Sequence, residues 1–347
     1  MKVTLTGSTG FVGSHILTEL QEHGHEVTAL VRDDAHAEKV AAAGATPAVV
    51  DLYDRPTVTS KFSGTDGAIH TASPGDATSA NLDSAVVDAA IDAFAGTGKP
   101  YLHISGDWIY GNNLDITEES PIEAPAMVAW KEPVERRLLD AAGMRGVVVV
   151  SSVVYGDGGG QVPGLLLGSP RDDAGNLIML GTGQQHWPTV HAADLADFFR
   201  RALEDGSARG RYLIGDGSNP TVAELTEAAA VAARAPGAVA GSDDEARARL
   251  GDYLAEVLLL DQGTDAAKAR AELGWRPSRP VLAEEFRHGS YRTNGGLSGG
   301  IGAWADRRPA HRGAGGNQRD HRLALQPVVR RPECFRIDPG RGRRRVF

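Results

Sequence analysis

The stretch "KVTLTGSTGFVGSHI", residues 2–16, decides the fold class of this chain. Its first five residues favour a β-strand, and Gly7, Gly10 and Gly13 then lead into a helical segment. In such a strand, turn and helix unit, backbone amides and the helix N-terminus can face a pyrophosphate without side chains in between. We therefore predict a dinucleotide site here; the alternative is a tight turn that binds nothing.

The same alternation continues through the first 160 residues. Short β-rich runs such as "EVTALVR" (26–32), "GAIHTA" (67–72) and "YLHISG" (101–106) alternate with alanine-rich helical stretches. This βαβ rhythm predicts an α/β fold with a doubly wound parallel sheet of the Rossmann type. Such sheets bind ligands at the carboxyl ends of their strands, near the point where strand order reverses. The residues expected to emerge there are Gly7, Arg32, Asp51, Thr71 and Ser105.

After residue 157 the alternation loosens, which divides the chain into three regions. We predict a Rossmann dinucleotide-binding domain at 1–156, a smaller and mainly substrate-side domain at 157–293, and a tail at 294–347. A helix within 189–205 should pack back on the sheet because its apolar residues recur at helical spacing. The tail is rich in glycine and arginine and has too little apolar surface to offset ordering entropy, so we predict that it is disordered.

The net charge of −9 is unevenly distributed along the chain. The last 54 residues hold 12 of the 36 basic residues and four of the 45 acidic ones, so residues 1–293 carry 24 and 41. A body with this excess of acid would repel the phosphates of nucleic acid. We therefore expect a small-molecule substrate and no nucleic-acid partner for the body. A homodimer is left open.

Membrane helices and metal sites are disfavoured by the sequence. No run approaches the ~18 consecutive apolar residues that a membrane helix requires, and glycines break the N-terminal apolar segment. We expect a soluble, cytoplasmic protein with no membrane partner. Cys334 is the single cysteine, and neither a histidine and glutamate metal spacing nor a Gly-x-Ser-x-Gly elbow is present. We predict no metal.

Five motifs together resemble a known family. The glycine loop "TGSTGFVG" is accompanied by "VVDLYD" (49–54), "IHTAS" (69–73), "VVYGDGGG" (153–160) and "ARAELGWRP" (269–277). From residue 1 to about 290 the chain resembles the extended or atypical branch of the short-chain dehydrogenase/reductases, also called the NAD-dependent epimerase/dehydratase family. The motifs are specific for the superfamily and do not identify a substrate.

The resemblance implies a set of cofactor contacts. The glycine loop would hold the pyrophosphate, the "VVDLYD" segment the adenine, and the "IHTAS" strand end the nicotinamide ribose, with the "VYG" turn beside the nicotinamide. The implied cofactor-binding residues are Gly7, Thr9, Gly10, Phe11, Val12, Gly13, Asp51, Leu52, Thr71, Ala72, Ser73, Lys131 and Val154.

Cofactor choice should depend on the tip of the second strand. An acidic residue there would bind the ribose 2′-hydroxyl, whereas a basic one would accept a 2′-phosphate. The tip reads "ALVRDD", with Arg32 after Val31, so the sequence favours NADP(H). In the alternative, Arg32 is a solvated surface residue and Asp33 serves the ribose of NAD(H).

The family's usual active site, as the resemblance implies, is a serine or threonine with a Tyr-x-x-x-Lys pair. Lys131 fits the lysine position, but Met127 stands where the tyrosine is expected and cannot exchange a proton. Gly106 stands where the hydroxyl residue is more common, which leaves Ser105 one place earlier. The predicted catalytic residues are therefore Lys131, Ser105 and a replacement acid. Tyr110 is the first choice for that acid, ahead of Asp107 and Tyr155.

These residues predict an NADP(H)-binding oxidoreductase or epimerase-like enzyme that acts on a small carbonyl or hydroxyl substrate. The missing tyrosine leaves a second hypothesis open, a regulatory protein that senses the dinucleotide without turning it over. His186 and Trp187 could contact substrate. In the alternative, Trp187 fills the core and His191 caps the following helix.

Overall fold

The computed structural model describes residues 1–292, so the predicted disorder of 294–347 lies outside the described residues. The strands are β1 (Lys2–Thr6), β2 (Glu26–Val31), β3 (Thr46–Val49), β4 (Gly67–His70), β5 (Pro100–Gly106), β6 (Asn113–Ile116), β7 (Arg145–Ser151), β8 (Val153–Tyr155), β9 (Leu177–Ile178), β10 (Thr189–His191), β11 (Gly210–Ile214), β12 (Ala238–Val239) and β13 (Gln262–Thr264).

The helices alternate with these strands. They are α1 (Phe11–Glu22), α2 (Asp34–Ala42), α3 (Arg55–Ser63), α4 (Ser79–Phe94), α5 (Lys131–Asp140), α6 (Gln161–Leu167), α7 (Ala192–Glu204), α8 (Val222–Ala232), α9 (Asp243–Leu250), α10 (Asp252–Leu258), α11 (Ala267–Leu273) and α12 (Leu282–His288), with a 3₁₀ helix at Asp107–Tyr110.

Seven parallel strands form the main sheet, in the order β3-β2-β1-β4-β5-β7-β11. The chain begins in the middle with β1, adds β2 and β3 on one side, and then crosses to β4 on the other side. The strand order therefore reverses between β1 and β4, and this is where such sheets bind their ligands. The predicted doubly wound fold is confirmed.

Helices cover both faces of the sheet and enclose two apolar cores. On one face, Leu17 of α1 and Phe198 of α7 pack with strand residues such as Leu5. On the other face, Val86 of α4 and Leu138 of α5 are among the residues that fill the core. Helix α7 thus packs on the sheet although it lies late in the chain, because its apolar stripe contacts the core on this face.

A third apolar core draws on residues between 153 and 291, among them Leu166, Leu225 and Phe286. Three short parallel pairs lie outside the main sheet and join β8 to β10, β9 to β12 and β6 to β13. The later part of the chain is therefore built from short strands and helices around a core of its own.

The ends of the helices show which backbone amides are already satisfied. Helices α8 and α9 begin with capping boxes, Thr221 with Glu224 and Ser242 with Glu245, as the sequence pattern of a hydroxyl followed by glutamate predicts. Helix α1 begins after Gly10 without any side-chain cap. Its first amides therefore have no side-chain partner of their own.

Candidate active site at the carboxyl ends of the strands

The glycine loop between β1 and α1 is a close-packed backbone cradle. Gly7 has a φ of +77°, and a Cβ atom on it would lie 2.6 Å from the amide nitrogen of Ala72. A Cβ atom on Gly13 would lie 2.1 Å from the carbonyl oxygen of Gly7. The Ser8 hydroxyl is buried and has no hydrogen-bond partner among the described residues. The loop thus combines uncapped helix amides with an orphaned hydroxyl, which suits a phosphate group.

The tip of β2 carries an exposed cation, Arg32. Arg32 has a side chain that is 69 % exposed, with its Nε 3.4 Å from a carboxylate oxygen of Asp33 and its Nη2 3.1 Å from Nε2 of His36. The Asp33 carboxylate caps α2 by accepting from the His36 amide, and it also contacts the His36 ring. These hydrogen bonds lower the pKa of Asp33. Asp33 is therefore occupied, whereas Arg32 remains available to a ligand.

The end of β4 lies directly against the glycine loop. The Thr71 hydroxyl donates to the Thr6 carbonyl at 2.9 Å, and the Ser73 hydroxyl lies 3.3 Å from that of Ser79. Asp51, which follows β3, is exposed and accepts a hydrogen bond from the Tyr53 amide. The structure brings the ends of β1 and β4 together at one edge of the sheet, as the strand order requires.

The loop after β8 reaches the same edge. A Cβ atom on Gly159 would lie 2.5 Å from the ring of Phe11, the first residue of α1. A Cβ atom on Gly160 would lie 2.6 Å from the Val154 carbonyl oxygen. Phe11 and the glycine-rich loop that follows Val154 are therefore neighbours at the mouth of the cradle.

Lys131 opens α5, and its ammonium has a buried counterion. Its Nζ lies 3.5 Å from Oδ2 of Asp83 and 4.5 Å from the centre of the Trp130 ring. Met127 lies in the turn that precedes α5, is 38 % exposed, and accepts a hydrogen bond from the Trp130 indole through its carbonyl. Residues 126–130 form a turn, so α5 does not extend back to Met127.

Ser105 makes a buried structural contact. Its hydroxyl donates to Oε1 of Glu135 at 2.5 Å, and Glu135 is fully buried and paired with Arg211 at 3.2 Å. A carboxylate held in this way keeps the serine hydroxyl inside the fold. We therefore do not retain Ser105 as a residue that orients substrate.

Two of the three candidate acids are also inside the fold. Tyr110 is 1 % exposed within the core of α4 and α5, and burial raises the pKa of its phenol to about 12. Tyr155 is fully buried, donates to Asp216 and to the Pro280 carbonyl, and has a pKa raised far above its usual value by burial. Both phenols are buried, and their raised pKa values make them weaker acids than a free tyrosine, so neither is suited to give a proton to a substrate.

Asp107, the third candidate, has the properties of a proton donor. It directly follows β5 and is 4 % exposed, and burial raises the pKa of its carboxyl to about 7. The Ser152 hydroxyl after β7 partly offsets this rise, yet neither its Oγ nor Oδ2 of Asp107 has a hydrogen bond of ordinary geometry among the described residues. The Asp107 carboxyl and the Ser152 hydroxyl thus lie, each with an unpaired oxygen, at the ends of the neighbouring strands β5 and β7.

The segment 185–191 matches the alternative that gave it structural roles. Trp187 is buried in the third core and donates to the Leu258 carbonyl. His191 caps α7 by accepting from the Ala193 amide at Nδ1. His186 is half-buried and lies 2.8 Å from Asp261.

Sequence reasoning missed a buried polar cluster around Asp83. This residue of α4 contacts His70 of β4 and His103 of β5 as well as Lys131. The one signal in the sequence was a histidine within each of two otherwise apolar strands, "GAIH" and "YLHIS".

Residues 3–215 match the NAD dependent epimerase/dehydratase family. The chain belongs to this family. An uncharacterized protein, C2A9.02 of Schizosaccharomyces pombe, is 29% identical over 297 residues that cover 84% of this chain and 100% of that protein. The family match extends across β1 to β11 and therefore includes the entire main sheet and the candidate site.

Solved structures share the family fold. The human epimerase family protein SDR39U1 with NADPH superposes with a TM-score of 0.65 at 23% identity, covering 84% of this chain and 100% of that one. The UDP-glucose 4-epimerase of Thermus thermophilus in complex with NAD superposes with a TM-score of 0.66 at 23% identity, covering 85% and 100%.

Residues 1–292 contain neither a membrane-spanning helix nor a metal cluster. No helix in this part of the chain has the length and apolar character needed to cross a bilayer. The same residues contain no group of three or more histidine, cysteine, aspartate or glutamate side chains that is placed to hold a metal ion.

Proposed function

We propose that this protein binds NADP(H) and uses it as an oxidoreductase or epimerase-like enzyme on a small carbonyl or hydroxyl substrate. The observation that carries the proposal is the glycine cradle, where a Cβ atom on Gly13 would lie 2.1 Å from the Gly7 carbonyl. Gly13 lets α1 pack this closely on the loop, and Gly10 at the start of the helix leaves the backbone amides open to a pyrophosphate. Family membership supports the same cofactor class.

The choice of NADP(H) over NAD(H) rests on two charged side chains at the tip of β2, those of Asp33 and Arg32. The Asp33 carboxylate is used by His36 and the start of α2, while Arg32 is exposed. An exposed guanidinium suits a 2′-phosphate because it offers planar, charge-assisted donors. A structural relative holds NADPH and another holds NAD, so the local charges are the better guide for this chain.

The bound dinucleotide would supply or accept the hydride. The chain's own residues bind and orient the cofactor. The amides at the start of α1 bind the pyrophosphate. The nicotinamide ribose is oriented by Lys131 and by the strand end Thr71 to Ser73. Phe11 and the glycine-rich loop after Val154 exclude water from one side of the site. Asp51 and Leu52 complete the adenine side.

Asp107 is the residue that we propose moves the proton. A carboxyl with a pKa of about 7 is divided between its acid and base forms at neutral pH, which is the range where proton transfer is most effective. Buried carboxyls with raised pKa values concentrate at functional sites. The family's tyrosine position is held by Met127, which has no proton to give, and Asp107 would supply this function from the end of β5.

The rival hypothesis, a dinucleotide sensor without turnover, makes a different prediction. Titration with NADPH, followed by the change in its fluorescence, should give saturable binding under both hypotheses. A screen of small aldehydes and ketones should then give oxidation of NADPH for the enzyme alone. Failure of NADPH and NADH to bind would overturn the proposal, and binding without turnover of any carbonyl would favour the sensor.

Arg32→Asp is expected to reverse cofactor preference. The substitution removes a charge-assisted partner worth about 1.5–3 kcal/mol and places a carboxylate against the 2′-phosphate. The dissociation constant for NADPH should therefore rise at least about tenfold, while that for NADH should fall or stay unchanged.

Lys39→Asp is the matched control, because it changes the net charge equally on the exposed surface of α2. It should leave both dissociation constants as they are. Equal binding of NADPH and NADH by the wild-type protein would show that Arg32 does not select the cofactor.

A further inference from the structure

A buried acidic side chain of α4 contacts three basic side chains from three other elements. Oδ1 of Asp83 lies 3.2 Å from Nε2 of His70. Its other oxygen, Oδ2, lies 3.3 Å from Nε2 of His103 and 3.5 Å from Nζ of Lys131. Asp83, His70 and His103 are each less than one-tenth exposed. We call these four residues the Asp83 cluster.

The protonation pattern of the cluster follows from its geometry. Burial lowers the pKa of His70, so its ring is neutral at neutral pH. Nδ1 of His70 lies 2.7 Å from the Thr6 hydroxyl, which can donate to it, and this leaves the Nε2 proton to be donated to Asp83. The hydrogen bond from His70 and the nearby His103 ring hold the pKa of Asp83 well below its usual range despite its burial.

His103 occupies a similar but less well-aligned position. Its Nδ1 lies 3.4 Å from the Tyr101 hydroxyl, and its Nε2 approaches Asp83 without hydrogen-bond geometry. Asp83 is thus a carboxylate that faces two imidazoles and one ammonium. Lys131 is the member of the cluster that places an ammonium opposite this carboxylate.

The cluster joins the three parts of the chain that line the proposed cofactor site. Thr6 directly precedes Gly7 of the glycine cradle. His70 directly precedes the ribose-lining strand end that begins at Thr71, and Lys131 opens α5. A shift of the Asp83 carboxylate would therefore move the residues at the end of β1, at the end of β4 and at the start of α5.

We propose that Asp83 is a positioning residue, which holds the Lys131 ammonium and the ends of β1 and β4 in the arrangement that binds the nicotinamide ribose. This inference rests on the proposed function. Buried ion pairs stabilise folds weakly because desolvation offsets much of their attraction, and their better-supported use is to specify geometry. The Lys131 side chain is only partly exposed and lies beside the Trp130 ring. The position of its ammonium therefore depends on the contact with the Asp83 carboxylate.

A double-mutant cycle on the full chain tests this proposal. Asp83→Asn, Lys131→Met and the double variant are compared by their dissociation constants for NADPH. We expect Asp83→Asn to weaken binding about tenfold, as for the loss of a charge-assisted contact. The effect should be clearly smaller once Lys131 is methionine, because only the contacts of Asp83 with the histidines then remain. Independent, additive losses would show that Asp83 does not act through Lys131 and would overturn the proposal.

Asp88→Asn is the matched control on the same helix. Asp88 pairs with Arg55 and Arg137 on the outer surface of α4, so this variant should bind NADPH as the wild type does. The wild-type titration separates the two ideas: absence of NADPH binding defeats the proposed function, whereas wild-type binding without coupling between Asp83 and Lys131 defeats the inference alone.

A second measurement applies if Asp83→Asn does not fold. Asp83 faces His70, His103, Tyr101 and Lys131, and its folded-state pKa is depressed, so its stabilising contribution is present above about pH 4 and is lost as the pH falls. Removing the ammonium raises that pKa. Removing the ammonium also raises the pKa of His70, which Lys131 lowers. The difference in free energy of unfolding between wild type and Lys131→Met should therefore narrow as the pH falls from 7 to below 4. A difference that does not narrow overturns the pairing.

Discussion

Asp107→Asn is expected to lower the turnover of a carbonyl substrate by about 10²–10⁴, the usual cost of losing a general acid. The amide keeps the size of the buried side chain but has no proton to exchange at neutral pH. NADPH binding should persist, because Asp107 is not part of the glycine cradle or the tip of β2. The measurement is the rate of NADPH oxidation at saturating substrate, beside a fluorescence titration of the cofactor.

The pH profile gives a second readout of the same residue. A general acid is active when protonated, so with a pKa of about 7 for Asp107 the rate of carbonyl reduction should be high at pH 6 and fall as the pH rises through 7. This fall should be absent from the residual activity of Asp107→Asn.

Tyr110→Phe is the control for this pair of measurements. It removes a buried hydroxyl that has no hydrogen-bond partner among the described residues, and it should keep its turnover and its pH profile. If Tyr110→Phe were inactive and Asp107→Asn active, the proton would move through the phenol, and our assignment of Asp107 would be wrong.

Gly13→Ala is expected to weaken NADPH binding by at least about a hundredfold, since two or more charge-assisted contacts of about 1.5–3 kcal/mol each would be displaced. The new methyl group would lie 2.1 Å from the Gly7 carbonyl oxygen, and backbone cannot move aside as the end of a flexible side chain can. Helix α1 and the loop must separate, which moves the amides away from the pyrophosphate. Cofactor titration measures the loss.

Gly206→Ala provides the comparison, because a Cβ atom there would meet nothing within 4 Å. It should bind NADPH as the wild type does, and circular dichroism should show that both variants keep the fold. Unchanged binding by Gly13→Ala would mean that this loop does not hold the dinucleotide, and the proposed function would lose its main support.

Part of the site could be predicted from sequence because it depends on the backbone of consecutive residues. Gly7, Gly10 and Gly13 follow one strand and open one helix, and the need for glycine at this spacing comes from contacts within the unit and with the adjacent strand. The alternation of strands and helices is equally local in the sequence. Together they determined the doubly wound sheet and the edge at which the site lies.

The tertiary structure alone decided which polar side chains at that edge are free and which are occupied. Ser105 is held by Glu135, 30 positions later, and Glu135 by Arg211, a further 76 positions on. The pKa of a carboxyl or phenol depends on burial and on such distant partners, so the sequence could not rank Asp107 above Tyr110 or reveal Asp83 behind Lys131. The sequence by itself determined the fold and indicated a candidate place for the cofactor, because the backbone requirements of strands, helices and the glycine loop are local. The folded chain determined the chemistry there, because side-chain charge and exposure depend on residues that meet only in three dimensions.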